Sequence, residues 1–265
     1  MMTMGSDGTA VRREVEGLAG AVRGAARVVV LTGAGMSTES GVPDFRGPAG
    51  LWQGADPASV AHVDVLRDDP ARLWRFYRHR LATLRDARPN PGHDALARLE
   101  RAGRLHRLIT QNTDGLHAAA GSRPVEVHGS LREASCSACG AVVPMEEAER
   151  CLDAAADGVP RCRCGGTLRP AVVLFGEALP AHALEGAMRE AESCDLLLAL
   201  GTSLAVWPVA EMPLRARRAG ARVAIVNRGP TEHDDVAEIR IDAALGTVLP
   251  AVAVAVLGVA AGAGG

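Results

Sequence analysis

Short, mostly apolar runs that end in small or polar residues recur along this chain of 265 residues. They cover residues 28–31, 105–109, 125–127, 172–175, 196–200 and 223–226. Because the apolar residues in most of these runs do not alternate with polar ones, the runs indicate strands that helices cover on both faces. Helical patterns lie between several of them, including residues 91–102 and 180–193. The alternation predicts an α/β fold built on a doubly wound parallel sheet.

Polar side chains follow two of these predicted strands. Gln111, Asn112 and Asp114 come after the second strand, and His128 comes after the third. Ligands of doubly wound sheets bind beyond the carboxyl ends of the strands, so these residues mark a candidate site. A histidine there is suited to act as a general base. Turn formation or helix capping for the first three residues, and a structural role for the histidine, are the alternatives.

A glycine-rich turn, GAGMS at residues 33–37, directly follows the first predicted strand. Glycines let the backbone approach a pyrophosphate, and the N–H groups of the following helix start then face the anion. Thr38 stands where the common dinucleotide fingerprint has its third glycine, so an ordinary tight turn is the alternative. The loop that follows contains Asp44, Phe45 and Arg46, and it is either a ligand loop or a solvated one.

Two closely spaced cysteine pairs, Cys136/Cys139 and Cys162/Cys164, are separated by 22 residues. Four thiolates satisfy tetrahedral zinc and leave no open position, which predicts one structural zinc ion in a zinc ribbon. The second pair is one residue tighter than the common CxxC form, and free thiols or a redox pair are the alternatives. A zinc ribbon also suits a module that binds protein or nucleic acid, although a net charge of only −2 counts against nucleic acid.

Two segments interrupt the alternation of strands and helices. Residues 49–91 are helical and rich in arginine, and residues 133–167 hold the cysteine pairs. We expect these segments to form a smaller domain from a helical insertion and the zinc ribbon. Residues 11–48, 92–132 and 168–258 would form the larger domain, with flexible ends at residues 1–10 and 259–265.

The composition, 48% hydrophobic and 23% charged, is that of a globular protein. The start of the chain lacks the basic-then-apolar order of a secretory signal. The longest apolar stretch, near residues 248–261, is too short for a convincing membrane span. These features predict a cytoplasmic protein that contacts neither membranes nor nucleic acid, with a monomer as the default expectation.

Taken together, eight motifs resemble those of the sirtuin family, and they occur in that family's order over roughly residues 28–230. The motifs are GAGMS at 33–37, GVPDFR at 41–46, TQNTDGLH at 110–117, His128-Gly129, the four cysteines, VVLFGE at 172–177, GTSL at 201–204 and Val226-Asn227. The resemblance implies a Rossmann-like NAD-binding domain and NAD-dependent removal of acyl groups from protein lysines. The implied products are nicotinamide, an O-acyl-ADP-ribose and free lysine.

The resemblance also implies roles for individual residues. His128 would be the general base, and Asn112 the second catalytic residue. The implied NAD-binding residues are Gly33, Ala34, Gly35, Ser37, Asp44, Phe45, Arg46, Gln111, Asn112, Asp114, Gly201, Thr202, Ser203 and Asn227. The implied substrate residues Val172, Val173, Phe175, Gly176 and Glu177 belong to a segment whose backbone would pair with the acyl-lysine peptide.

Tyr77 and Arg80 lie three residues apart on a predicted helix, so they share one face. Together with the small residue Ala61, this stretch is similar to that of the class III sirtuins that remove succinyl, malonyl or glutaryl groups. Arg can bind a carboxylate through two hydrogen bonds, Tyr can donate a third, and Ala leaves room. The resemblance therefore implies desuccinylase as well as deacetylase activity. An ordinary arginine-rich helix with a solvated face is the alternative.

Two other functions fit parts of the sequence. Mono-ADP-ribosyl transfer would use the same NAD site, but the complete VVLFGE segment and His128 favour deacylation. An inactive NAD sensor or zinc scaffold would not need Asn112, Asp114 and His128 together.

Overall fold

The computed structural model describes residues 7–45, 50, 56 and 58–258. Its strands are β1 (Val28–Thr32), β2 (Arg107–Thr110), β3 (Val125–Glu126), β4 (Gly129–Cys136), β5 (Val142–Pro144), β6 (Leu168–Val172), β7 (Leu196–Leu200), β8 (Arg222–Val226) and β9 (Ile239–Ile241). Its helices are α1 (Asp7–Gly24), α2 (Ala58–Ala61), α3 (Val63–Asp68), α4 (Pro70–Arg85), α5 (Pro91–Arg101), α6 (Leu116–Ala119), α7 (Met145–Ala154), α8 (Ala181–Ser193), α9 (Met212–Arg218) and α10 (Leu245–Leu257). Among the helices described, none has the length and apolar character needed to cross a membrane.

Six strands form one parallel sheet in the order β3-β2-β1-β7-β8-β9. In the centre, Val30 of β1 lies opposite Leu108 on one side and Leu198 on the other. The chain moves outward from β1 to β2 and β3, and later returns to the other side of β1 with β7. The order therefore reverses between β1 and β7, which is where a doubly wound sheet binds ligands. The predicted doubly wound parallel sheet is confirmed.

Successive residues of β1 point to opposite faces of the sheet, and helices cover both faces. Val28 and Val30 pack in a core with α1, α5 and α10. Val29 and Leu31 pack in a second core with α8 and α9. All five residues of β1 are buried, which explains why its sequence is apolar over consecutive positions.

The second sheet is antiparallel, with the order β5-β4-β6. It packs with α4 and α7 around a separate core to which Leu73, Trp74, Met145 and Leu152 contribute. The Trp74 Nε1–H group donates a hydrogen bond of 2.9 Å to the carbonyl of Leu168, which ties α4 to β6. The helical insertion and the cysteine-bearing segment therefore pack as one smaller unit, as the sequence predicts.

The run at residues 172–175 is not a strand of the parallel sheet, contrary to the sequence-based expectation. Strand β6 ends at Val172 and belongs to the antiparallel sheet. Val172 and Leu174 are buried in the core of the smaller unit. Their apolar side chains are therefore explained by packing in that core and not by a place in the parallel sheet. The proposed domain limits at residues 132 and 168 accordingly cut through the second sheet, and the division into domains stays a proposal.

The two ends of the chain were expected to be flexible. Helix α1 begins at Asp7, so residues 7–10 are helical. Helix α10 ends at Leu257, and residues 259–265, like residues 1–6, lie outside the described part of the chain.

Candidate active site

The glycine turn after β1 lies against the loop after β7. The Gly33 N–H group donates to the carbonyl of Leu200 at 3.1 Å, and the Gly35 N–H group donates to the carbonyl of Gly201 at 2.8 Å. A Cβ atom on Gly33 would lie 2.7 Å from the Cβ atom of Thr202, and one on Gly35 would lie 2.9 Å from the Cα atom of Gly201. These distances exclude larger residues, so the close contact of the two loops requires both glycines.

Asn112 and Asp114 converge on Ser37. The Ser37 hydroxyl donates to Asp114 Oδ2 at 2.7 Å and accepts a hydrogen bond from Asn112 Nδ2 at 3.1 Å. Asp114 Oδ1 also accepts from the N–H group of Leu116 at 2.9 Å, near the start of α6. Ser37 and Asn112 are buried. Side-chain hydrogen bonds thus join the loop after β1 to the loop after β2.

His128 lies at the same end of the sheet, between β3 and β4. Its Nδ1 atom is 3.0 Å from the carbonyl oxygen of Gln111. Because a carbonyl only accepts hydrogen bonds, Nδ1 carries the proton and Nε2 keeps its lone pair. Burial lowers the pKa of His128 below its ordinary value, although the bond to Gln111 acts in the opposite direction. The imidazole is therefore neutral near pH 7, the form that a general base requires.

The loops after β7 and β8 complete this edge of the sheet. Thr202 Oγ1 accepts hydrogen bonds from Gln111 Nε2 at 3.0 Å and from the N–H group of Leu204 at 3.2 Å. The Asn227 side chain donates to the carbonyls of Arg228 and Gly229 at 3.0 and 3.1 Å. Both predicted residues thus shape their own loops as well as facing the cavity described next.

A cavity of about 1020 Å³ brings together most of the predicted site residues. The predicted NAD-binding residues in its lining are Gly33, Ala34, Gly35, Asp44, Phe45, Gln111, Asn112, Gly201, Thr202, Ser203 and Asn227. The predicted substrate residues in its lining are Ala61, Tyr77, Arg80, Val172, Val173, Phe175, Gly176 and Glu177, and His128 lies among them. Behind the lining, Ser37 contacts Asn112, and Asp114 contacts Ser37. Arg46 lies outside the described residues.

Sequence reasoning missed other residues of this lining. They include Thr38, Glu39, Phe76, Thr113, Leu131, Leu179, Val206, Trp207, Arg228, Gly229, Pro230, Ala243, Ala244 and Leu245. Trp207 is 60% exposed and follows the GTSL motif after β7. Its position on a loop at a strand end could have indicated from the sequence that it belongs to the site. The last three residues follow β9, a strand that the sequence pattern did not reveal.

Tyr77 and Arg80 lie on a buried face of α4, and each residue is only 7% exposed. The central guanidinium carbon of Arg80 is 5.1 Å from the centre of the Phe45 ring. Arg80 Nη1 also donates a long hydrogen bond of 3.4 Å to the carbonyl of Pro43. Burial lowers the pKa of Arg80 and raises that of Tyr77, so the phenol stays protonated at neutral pH. This helix face is therefore not a solvated one, and it presents a cation and a hydroxyl donor to the cavity.

The segment after β6 is held by backbone hydrogen bonds on two sides. The Val173 N–H group donates to the carbonyl of His128, and the Phe175 N–H group donates to the carbonyl of Ala61, both at 2.9 Å. Phe175 remains 42% exposed. These two N–H groups are already used within the chain, so a peptide would pair with other backbone groups of the segment.

The Glu177 carboxylate, which the sequence assigns to substrate binding, makes contacts within the chain. Its Oε2 atom accepts hydrogen bonds from Arg169 Nη2 at 2.8 Å and from the N–H group of Leu174 at 2.9 Å. Partial burial raises the pKa of Glu177, but the bonds from Arg169 and Leu174 outweigh this effect and lower it. The carboxylate is therefore ionised near pH 7 and fastens the segment to β6.

The four clustered cysteines converge in the smaller unit, and their sulfur atoms all lie within 4.8 Å of one another. The Cys136 and Cys164 Sγ atoms are 3.5 Å apart, and those of Cys139 and Cys162 are 3.8 Å apart. These distances are far longer than a disulfide bond of about 2.05 Å. Tetrahedral zinc with Zn–S bonds of about 2.3 Å would place its sulfur ligands about 3.8 Å apart. The residues present therefore fit one four-coordinate metal ion.

These features define a Rossmann-like α/β protein. It has a parallel sheet, a cavity at the switch point of that sheet, and an inserted unit whose four cysteines can bind a metal ion. The Sir2 family profile matches residues 33–208, and the chain belongs to the Sir2 family. This confirms the family that the motifs predict.

Individual relatives agree with this family assignment. The NAD-dependent protein deacylase 2 of Pyrobaculum aerophilum is 47% identical over 228 residues, which cover 84% of this chain and 88% of that protein. The NAD-dependent protein deacetylase 1 of Geobacillus kaustophilus is 48% identical over 212 residues, or 79% of this chain and 85% of that protein. A solved structure of Sir2 bound to acetylated peptide matches with a TM-score of 0.81 and 33% identity, over 89% of this chain and 95% of that one.

Proposed function

We propose that this protein removes acyl groups from protein lysines in an NAD-dependent reaction. The observation that carries the proposal is the position of His128, a neutral imidazole that lines the same cavity as the glycine turn at residues 33–35. The relatives named NAD-dependent protein deacylase and deacetylase support the proposal. Hydrolysis of the intermediate would release the lysine, so NAD, acyl-lysine and one water would give nicotinamide, an O-acyl-ADP-ribose and free lysine.

Different predicted site residues would bind NAD, accept a proton, exclude water and align the peptide in this reaction. NAD would supply a ribose carbon that accepts the acyl oxygen and a nicotinamide leaving group. The predicted NAD-binding residues of the lining, with Ser37 and Asp114 behind them and Arg46, would hold NAD. Because the N–H groups of Gly33 and Gly35 already donate to Leu200 and Gly201, the Ala34 N–H group of this turn is the one that would donate to its diphosphate. His128 Nε2 would accept a proton from a ribose hydroxyl. Phe45 would shield the reacting atoms from water, and residues 172–177 would align the acyl-lysine peptide.

A structural zinc ion completes the proposal. Cys136, Cys139, Cys162 and Cys164 would bind it as thiolates, which leaves no open position for substrate or water. The ion would join the segment after β4 to the segment before β6, and so hold the smaller unit together. Its contribution to the reaction would be indirect.

The acyl groups of the proposed substrates include acidic ones such as succinyl and malonyl, besides acetyl. Arg80 and Tyr77 support this part of the proposal because both are buried and bring a cation and a hydroxyl donor to the lining of the cavity. A terminal carboxylate would replace the long contact to Pro43 with charge-assisted hydrogen bonds. Ala61 is buried at the same cavity and leaves room for a longer acyl chain.

Replacing Arg80 with methionine should separate the acyl classes. Methionine keeps the bulk of the arginine stem but removes charge-assisted hydrogen bonds of about 1.5–3 kcal/mol, so kcat/KM for a succinyl-lysine peptide should fall about 10- to 100-fold. The value for the matched acetyl-lysine peptide should change much less. Arg75→Met, on an exposed position of the same helix, is the control. An equal loss with both peptides would rule out the acidic pocket.

Mono-ADP-ribosyl transfer is not favoured by these relatives, which are named deacylases and deacetylases. Mass spectrometry of all products after incubation with NAD and acyl-lysine peptides separates the two reactions. A deacylated peptide together with O-acyl-ADP-ribose supports the proposed function. An acceptor protein that gains ADP-ribose, with the acyl-lysine intact, would overturn it.

Cytoplasmic location, a monomeric state and the lack of contact with nucleic acid stay predictions.

A further inference from the structure

The loop between β2 and α6 carries Gln111, Asn112 and Asp114, and the second residue of α6 is a histidine that the proposed reaction does not use. This residue, His117, is 2% exposed and lies on α6. It is not part of the cavity lining. Buried polar groups are generally hydrogen-bonded, so the partners of this imidazole indicate its role.

A chain of hydrogen bonds runs from His117 back to Asn112. His117 Nε2 is 3.0 Å from Thr32 Oγ1. The Thr32 hydroxyl donates to Thr110 Oγ1 at 2.8 Å, and therefore Thr32 accepts its other bond from His117 Nε2–H. Thr110 Oγ1 also accepts the N–H group of Asn112 at 3.0 Å. Thr32 and Thr110 are 0% and 2% exposed, so water does not compete for these bonds.

A second buried histidine limits the movement of the first. The rings of His93 and His117 pack with their centroids 4.7 Å apart. Nδ1 of His93 accepts the N–H group of Asn90 at 3.3 Å, as part of the cap that begins α5. Burial lowers the pKa of both histidines, that of His117 to about 3. His117 is therefore neutral near pH 7, in the form with a proton on Nε2 that the chain of bonds requires.

We propose that His117 is a positioning residue that fixes the backbone of Asn112 through Thr32 and Thr110. The loop at residues 111–115 is thereby joined to Thr32 on both sides, through Thr110 before it and His117 after it. Thr32 belongs to a central, fully buried strand. Without this connection Asn112 can shift, and a displacement of about 1 Å near reacting atoms can cost about 100-fold in rate. The inference rests on the proposed deacylase function, because that function gives Asn112 its role.

Three variants test the role in catalysis. His117→Leu removes the donor, Thr32→Val breaks the next bond with little change in shape, and His117→Gln keeps an N–H donor. The first two should lower kcat about tenfold or more, with KM for the acyl-lysine peptide within about twofold of wild type. His117→Gln should restore most of the kcat that His117→Leu loses. His182→Leu, at an exposed position on α8, is the matched control. Wild-type kcat in both Thr32→Val and His117→Leu would overturn the proposal.

Amide hydrogen exchange measured by NMR without substrate gives a readout that does not depend on turnover. Exchange at Asn112 should accelerate about tenfold or more in His117→Leu and Thr32→Val, while Leu198 of β7 stays protected. Unchanged exchange at Asn112 would overturn the proposal. Equal acceleration at Leu198 would do the same, because it indicates a general loss of stability. If the wild-type protein does not turn over acyl-lysine while the exchange results are as expected, the proposed function fails and the positioning of Asn112 stands.

Discussion

Replacing His128 with alanine should lower kcat for deacylation by about 10²- to 10⁴-fold, the range that general acid–base catalysis contributes. The imidazole is neutral and half-buried, and its Nδ1–H bond to Gln111 orients the unprotonated Nε2 atom. Alanine removes the proton acceptor but leaves the glycine turn unchanged. NAD affinity should therefore stay close to that of wild type. Steady-state kinetics with an acetyl-lysine peptide and calorimetric titration with NAD measure the two quantities separately.

The control for this variant is His182→Ala, which removes an exposed imidazole on α8. Its kcat should match wild type. If His128→Ala keeps wild-type turnover, another group accepts the proton and the assigned role of His128 is wrong. If His128→Ala loses NAD binding in proportion to turnover, the residue acts in binding rather than as a base.

Replacing Cys139 with serine should remove the metal ion and loosen the smaller unit. Cys139 is exposed, so the change costs little packing and its effect reports on the metal. Structural zinc contributes on the order of 10 kcal/mol in small zinc domains. Each kcal/mol lost shifts the Tm of a domain of this size by about 2–4 °C, so we expect a decrease of more than about 10 °C. Metal analysis should find one zinc ion per wild-type chain and little in the variant.

Cys151→Ser is the matched control, because Cys151 lies on α7 outside the four-cysteine cluster. It should keep the zinc ion and nearly all of the thermal stability. A Cys139→Ser protein with full zinc content and unchanged Tm would contradict the proposed metal site, as would a wild-type protein purified without metal.

The sequence predicted the centre of the parallel sheet well because its strands are buried on both faces. β7 was predicted with the observed bounds, and its five residues are all buried. β9 was not predicted because it is short and lies at the edge of the sheet, with Arg240 between two isoleucines. Arg240 turns outward to Asp234 at 2.8 Å, so no continuous apolar run marks this strand.

The position of the candidate site was predictable, whereas the contacts inside it were not. Polar residues at strand ends must meet at one edge of a parallel sheet, which placed Asn112 and His128. The bond between Ser37 and Asp114 joins residues 77 positions apart, and no local pattern indicates such a pair. The same holds for Glu177, which looks like an exposed loop residue until β6 places Arg169 beside it.

The most direct test of the proposed function compares two products of one reaction. Purified protein is incubated with NAD and an acetyl-lysine or succinyl-lysine peptide, and released nicotinamide and freed lysine are counted over time. The proposal predicts one nicotinamide for each lysine freed, and no lysine freed without NAD. Deacylation that proceeds without NAD, or nicotinamide release that leaves the acyl-lysine intact, would contradict it.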